Sequence, residues 1–153
     1  MGDHRVHTFQ IRLSTNELAP EDLTGMVGAS NDPTEPIDIR YDNSNARLEI
    51  DWADGVTSVY RYEFLRWECP CAHCAGEMGI PGQLQFVTEL APEQYVLSGI
   101  QVVGHYAVRP TWSDGHDTGI YAFARLRRIS DRARDDLRSD RPAGTKEPVK
   151  GPA

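Results

Sequence analysis

Residues 64–74 read Phe64-Leu65-Arg66-Trp67-Glu68-Cys69-Pro70-Cys71-Ala72-His73-Cys74 and hold all three cysteines of the chain within six positions. An odd number of thiols packed this closely makes a poor disulfide framework and a good metal loop. The spacing Cys69-x-Cys71-x-x-Cys74 puts three soft sulfur donors on one tight turn, so little chain entropy is lost when they converge, and Pro70 restricts the loop beforehand. One distant ligand then completes a tetrahedron. Zinc favours such a closed Cys3His shell, while iron or an iron–sulfur cluster draws on the same donor types. Ordinary buried cysteines fit the clustering poorly, and a redox pair is normally Cys-x-x-Cys beside a βαβ unit, a pattern missing from this sequence.

Three histidines compete for the fourth position. His73 lies between two of the cysteines, where successive side chains point apart. His105 falls at the junction of two expected strands, a place more typical of a half-buried polar residue. His116 closes the turn Ser113-Asp114-Gly115-His116, which can carry its imidazole to another loop, and Asp114 or Asp117 is placed to orient its second nitrogen. His116 is the best placed, and the residues alone leave His73, His105 and a water molecule open.

Outward from the metal loop the chain reads as β structure. Ile37, Ile39 and Tyr41 alternate, as do Leu48, Ile50 and Trp52, with Asp42-Asn43-Ser44-Asn45 between them, which predicts a hairpin. Ala53-Asp54-Gly55 turns the chain into a third strand over 56–61, and residues 62–67 are long enough for one or two helical turns entering the cysteines. After a Gly- and Pro-containing connection over 76–82, strands are expected over 95–103 and 106–112. Asp117 or Thr118 can then cap a helix from about Gly119, with Ile120, Phe123 and Leu126 at helical spacing. Residues 8–13 form one further possible strand within a stretch otherwise rich in turn formers. The expected fold class is α+β: a small, mostly antiparallel β-sheet domain with short helices and a Cys3His metal loop.

Of 153 residues, 39% are hydrophobic, enough for one ordinary core. No stretch approaches the roughly 18 apolar residues of a membrane span, and the polar start lacks the apolar centre of a signal peptide, so a soluble, cytoplasmic protein is expected. Residues 1–124 carry 7 Lys and Arg against 18 Asp and Glu, whereas residues 125–153 carry 9 against 5. The basic end is interrupted by Asp131, Asp135, Asp136 and Asp140, which reads as a solvated, ion-paired helix running into a loose tail and not as a nucleic-acid site.

The segment 64–74, together with Val103-Gly104-His105-Tyr106-Ala107 and Trp112-Ser113-Asp114-Gly115-His116-Asp117-Thr118-Gly119-Ile120-Tyr121, resembles the gamma-butyrobetaine hydroxylase-like N-terminal domain family over about residues 36–129. The resemblance implies a β-rich module that binds zinc through Cys69, Cys71, Cys74 and His116. That family usually carries a residue other than histidine where this chain has His105. Taken with the composition of the two ends, the expected organisation is a flexible extension over 1–35, the family domain over 36–130 and a charged, largely disordered tail over 131–153. In the two-domain dioxygenases that carry such a module, catalysis belongs to a separate domain holding Fe(II) through His-x-Asp and a distant His, and none of the five histidines here begins His-x-Asp. Related modules are also fused to P-loop ATPases of the iron–sulfur carrier type, and this chain has no phosphate-binding Gly-x-x-x-x-Gly-Lys-Ser/Thr. The resemblance therefore implies a non-enzymatic accessory or protein-interaction module. Its protein partner would be such an ATPase or an oxygenase; from the charge pattern and hydropathy, neither nucleic acid nor membrane is expected as a partner. The two alternatives are an accessory of iron–sulfur assembly and a detached regulatory half of a 2-oxoglutarate dioxygenase.

Among the other residues, Trp52, Trp67, Trp112, Tyr60, Tyr62, Tyr106 and Tyr121 are expected in or near the core. Arg66 and Arg109 are expected as surface ion-pair partners.

Overall fold

A computed structural model describes residues 8–12, 32–139, 141–142 and 144–146. In chain order the strands β1 (Thr8–Arg12), β2 (Pro36–Asp42), β3 (Arg47–Trp52) and β4 (Thr57–Arg61) lead into the short helices α1 (Tyr62–Trp67) and α2 (Ala72–Ala75). Next come β5 (Gly76–Glu77), β6 (Ile80–Pro81), two 3-10 turns at Gln83–Gln85 and Pro92–Gln94, then β7 (Leu97–Val103), β8 (Ala107–Trp112) and β9 (Tyr121–Ala122). Two further helices, α3 (Phe123–Arg128) and α4 (Ser130–Leu137), follow. The architecture is the expected mixture of antiparallel sheets and short helices, gathered into two compact units.

The first unit holds β1 to β4 with α3 and α4. Its sheet runs β1-β2-β3-β4 and is antiparallel throughout. The alternation seen in the sequence is the alternation of burial: Leu48, Ile50 and Trp52 of β3 point inward, and Leu48 stands opposite Tyr60 while Ile50 stands opposite Ile39 and Ser58. Each such side chain withdrawn from water contributes about 1.5–3 kcal/mol. Polar atoms carried inward find partners. The Trp52 indole N–H donates to Ser58 Oγ at 2.8 Å, and the Tyr60 hydroxyl donates to the Leu126 carbonyl at 2.6 Å. Phe123 packs edge-on against Trp52, with ring centroids 6.4 Å apart.

The second unit holds residues 62–121 and those after 137. β7 and β8 form a hairpin extended by β9, and β5 and β6 form a separate two-stranded one. Tyr62, Trp112 and Tyr121 are its largest fully buried side chains; Tyr62 meets Trp112 edge-on at 6.3 Å, and the Tyr121 hydroxyl donates to the Leu65 carbonyl.

Several expectations change. The connection over 76–82 contains the β5–β6 hairpin. The last helix pair begins at Phe123 instead of Gly119, because Tyr121 and Ala122 are drawn into the sheet; Ala122, still extended at ψ 141°, makes no side-chain cap. β1 pairs with β2, with Ile11 opposite Ile39, and α4 runs from Ser130 to Leu137. Most of the remainder of 1–35 lies outside the described residues. Trp67 is half-buried and Tyr106 is 59% exposed, while the other five aromatics are core.

Candidate metal centre

α1 delivers the first cysteine. Its last turn runs on, with Glu68 N–H donating to the carbonyls of Phe64 and Leu65 and Cys69 N–H to that of Arg66, so Cys69 is fixed to the helix end and fully buried. After Pro70 the chain makes one helical turn, α2, held by Cys74 N–H and Ala75 N–H on the Cys71 carbonyl; Cys71 stands before the helix and Cys74 within it, buried. The β5–β6 hairpin closes directly beneath. A Cβ on Gly82 would lie 2.1 Å from the Cys74 carbonyl oxygen, and one on Gly76, whose φ is +92°, would lie 2.3 Å from that of Ile80. Only glycine lets the backbone approach Cys74 this closely.

His116 arrives from the turn after β8. Trp112 N–H donates to the His116 carbonyl at 2.9 Å, and His116 N–H donates to Asp114 Oδ1 at 3.1 Å. Arg66 holds that carboxylate with both guanidinium ends, at 3.1 and 3.2 Å, donates to the Gln94 carbonyl at 3.2 Å and lies 5.8 Å from the centroid of the Trp112 ring. Arg66 is therefore no surface ion-pair residue: it is 4% exposed and ties the helix that ends in Cys69 to the turn that carries His116. Two-point binding of a carboxylate is a geometry that a guanidinium provides and an ammonium does not. Asp114 orients His116 through its backbone and not through the ring nitrogen that the sequence suggested. Nothing in the sequence around Arg66 marks this arginine as buried, so its role is not readable there.

The four donor atoms, Sγ of Cys69, Cys71 and Cys74 and Nε2 of His116, all lie within 4.8 Å of one another. Nε2 is 3.4 Å from Cys69 Sγ and 3.5 Å from each of the other two sulfurs, and Cys69 Sγ is 3.5 Å from Cys71 Sγ. Zinc–sulfur and zinc–nitrogen bonds of about 2.3 and 2.0–2.1 Å at tetrahedral angles give donor separations of about 3.6–3.8 Å. The cage has the size and chemistry of a site for one ion. A Cβ on Gly119 would stand 2.8 Å from Cys69 Sγ and 3.1 Å from the Tyr121 ring, so the absence of a side chain there leaves room for the sulfur. Thr118 Oγ1 lies 3.4 Å from Nε2.

The other candidate histidines stand apart from this cage. His73 is exposed, its ring centroid 6.4 Å from that of His116, and His105 is exposed at the β7–β8 turn.

Crowded thiols without a cation share protons unevenly. The Cys74 thiol, the Cys71 backbone and His116 hold the Cys69 thiol below its ordinary value against the effect of burial. Hydrogen bonding to Cys69, burial and the Cys69 charge push Cys74 up. Metal binding to such a set releases protons, because the ligating form of each cysteine is the thiolate.

No curated protein matches the chain. A crystal structure of a protein of unknown function of the DUF971 family from Acidithiobacillus ferrooxidans is 36% identical; the match covers 66% of this chain and 98% of that one, with a TM-score of 0.50. A second relative, known from an NMR solution structure, is 26% identical over 84% of this chain and all of its own, with a TM-score of 0.51. The family model described as gamma-butyrobetaine hydroxylase-like, N-terminal, matches residues 39–127, a span that contains all four donors. With more than half its length matched, this chain belongs to the gamma-butyrobetaine hydroxylase-like N-terminal family.

Proposed function

We propose that the protein is a zinc-binding accessory module, with Cys69, Cys71, Cys74 and His116 as ligands and the metal as a structural cross-link between α1–α2 and the turn after β8. The observation that carries this reading is the convergence of three sulfurs and one imidazole nitrogen within 4.8 Å. Four protein ligands close a tetrahedral shell and leave no position for substrate, so the metal's work is to hold the fold. An iron–sulfur cluster places several atoms between its thiolates and needs a wider cage than this one, which favours a single ion over the cluster alternative.

The module's role is then to present a surface to a protein partner. Support comes from the segment that follows the metal loop, where Met78, Ile80 and Phe86 are 93%, 72% and 75% exposed. Large apolar tips gathered in one segment are a feature of interaction surfaces. The resemblance to modules that accompany oxygenases and iron–sulfur carrier ATPases makes these the first partner classes to examine.

Elemental analysis of protein purified from its own host, paired with thermal unfolding before and after chelation, tests the metal reading. One zinc per chain and a clear fall in Tm on chelation are expected. Iron with visible absorption, or a Tm indifferent to chelation, would overturn it.

A further inference from the structure

Beyond α4 the chain returns to the unit that carries the metal loop. The Gly144 carbonyl accepts Leu90 N–H at 2.9 Å, Lys146 N–H donates to the Thr88 carbonyl at 3.1 Å, and Thr145 stands opposite Glu89 in an antiparallel bridge. Gly144 N–H donates to the Glu63 carboxylate of α1. The Lys146 ammonium donates to the Leu84 carbonyl at 3.0 Å and lies 5.5 Å from the centroid of the Trp67 ring. Gly144 has φ +82°, and a Cβ there would meet the Leu90 carbonyl oxygen at 2.7 Å.

Three residues thus use a strand-like backbone edge, a carboxylate, a carbonyl and the face of an indole. These are the parts from which sites for extended, cationic peptides are built: main-chain pairing supplies affinity, and a carbonyl with an aromatic face selects the ammonium. The stretch of sequence that supplies this edge is acidic. Between Arg66 and Arg109 the chain has no Lys or Arg, while Glu68, Glu77, Glu89 and Glu93 all fall in that interval. The segment that lines this edge also carries an exposed apolar side chain, Phe86, which closes the 3-10 turn two residues before Thr88 and is 75% exposed.

We propose that Glu63, Trp67 and residues 84–90 form a docking groove for an extended, lysine-bearing segment of a protein partner, filled in cis by residues 144–146 until displaced. The proposal rests on the reading of the protein as a docking module and names the face and the chemistry of what binds. A tethered occupant acts at an effective concentration in the millimolar range, so it lowers the apparent affinity of any competitor by the fraction of time the groove is closed.

The test titrates a synthetic peptide with the sequence of residues 141–148, followed by tryptophan fluorescence and calorimetry, into full-length zinc-loaded protein. In the Gly144→Val variant the cis segment no longer fits, and peptide binding at least about tenfold tighter than to wild type is expected. The same peptide carrying K146E should bind at least about tenfold more weakly. Full-length Lys146→Ala, which removes the ammonium contacts without crowding Leu90, provides a second opened groove and should show the same gain. Equal affinity of wild type and both variants for the peptide, or indifference to K146E, would overturn the proposal. Zinc stoichiometry of the wild-type sample is read separately, so a failed titration alongside one zinc per chain removes the groove and leaves the metal reading standing.

Discussion

Gly119→Ala isolates the coupling between the cradle and the ligand it admits. The new methyl would sit 2.8 Å from Cys69 Sγ and 3.1 Å from the Tyr121 ring. Ordinary contact is at about 3.5–4.0 Å, so the sulfur has to retreat by about 0.7–1.2 Å. The backbone at Gly119 lies outside the left-handed region, so alanine brings no conformational strain of its own, and the smaller entropy of the unfolded chain returns about 0.4–1 kcal/mol. Overpacking costs about 1–3 kcal/mol, which leaves a net loss of about 0–2.5 kcal/mol in metal-free protein. A bound ion adds a second penalty. Metal–ligand distances tolerate only about 0.2 Å, and displacing a ligand through its neighbour lowers affinity about 10–100-fold, or about 1.4–2.7 kcal/mol. Urea unfolding of wild type and variant, each in excess zinc and in chelator, measures both parts. The variant should lose about 1.4–2.7 kcal/mol more in zinc than in chelator, and Gly99→Ala, where a Cβ meets nothing within 4 Å, should show no such difference. Equal losses under the two conditions would refute the argument that Gly119 is there for the ligand.

His116→Ala should reduce zinc affinity by well over about 100-fold in competition with a chromophoric chelator, while His73→Ala and His105→Ala stay within about threefold; a large effect at His73 would reassign the fourth ligand. Tyr60→Phe removes the hydroxyl that donates to the buried Leu126 carbonyl and should cost about 0.5–1.5 kcal/mol in urea unfolding, with no change in zinc content. The Asp51 carboxyl is held below its ordinary value chiefly by the hydrogen bond from Arg40, with burial opposing and Thr57 and the Arg40 charge assisting. A depressed carboxyl contributes its stability above the ordinary value of about 3.9 and loses it as pH falls through the lower folded value. Asp51→Asn should therefore cost about 0.5–1 kcal/mol at pH 7 in chelator, and the gap to wild type should close below about pH 4. A gap that widens on acidification would contradict that sign.

Elements whose burial alternates along the chain are legible in the sequence itself. The β2-β3-β4 meander follows from Ile39, Leu48, Ile50, Trp52 and Tyr60 all needing the same face, with Asp42 turning the first corner by accepting the N–H groups of Ser44 and Asn45. Short elements carry too little pattern for that. α2 is a single turn and β5 and β6 have two residues each, so glycines and prolines in that stretch read as open connection. The late start of α3 has the opposite cause: local spacing over Ile120, Phe123 and Leu126 is helical, but pairing of Tyr121 and Ala122 in the sheet overrides it.

At the candidate metal centre the division falls between chemistry and room. Thiols and imidazoles declare themselves by residue type, so four donors can be named from spacing and resemblance. The residues that make the cage possible act through what they omit or bury. Gly82 matters because the Cys74 backbone passes 2.1 Å from where its Cβ would be, and Gly119 because a sulfur 50 positions earlier occupies the space beside it. Arg66 sits three residues before Cys69, and its consequence appears 48 positions later at Asp114. The Gly119 and Arg66 distances arise only after α1 and the turn after β8 have been brought together, and the Gly82 approach only once the β5–β6 hairpin closes under α2. The ligands and their supports should therefore separate by experiment: replacing a donor abolishes the site in any condition, whereas Gly119→Ala and Arg66→Met leave a site that still binds zinc but more weakly. Arg66→Met, which frees the His116 turn from the Asp114 clamp, is the sharper case. It should cost about 1–3 kcal/mol of folding stability in chelator, because the pair is only partly buried, and should also speed zinc loss to a competing chelator. An Arg66→Met protein that unfolds more easily yet releases zinc at the wild-type rate would show that the clamp serves the fold alone.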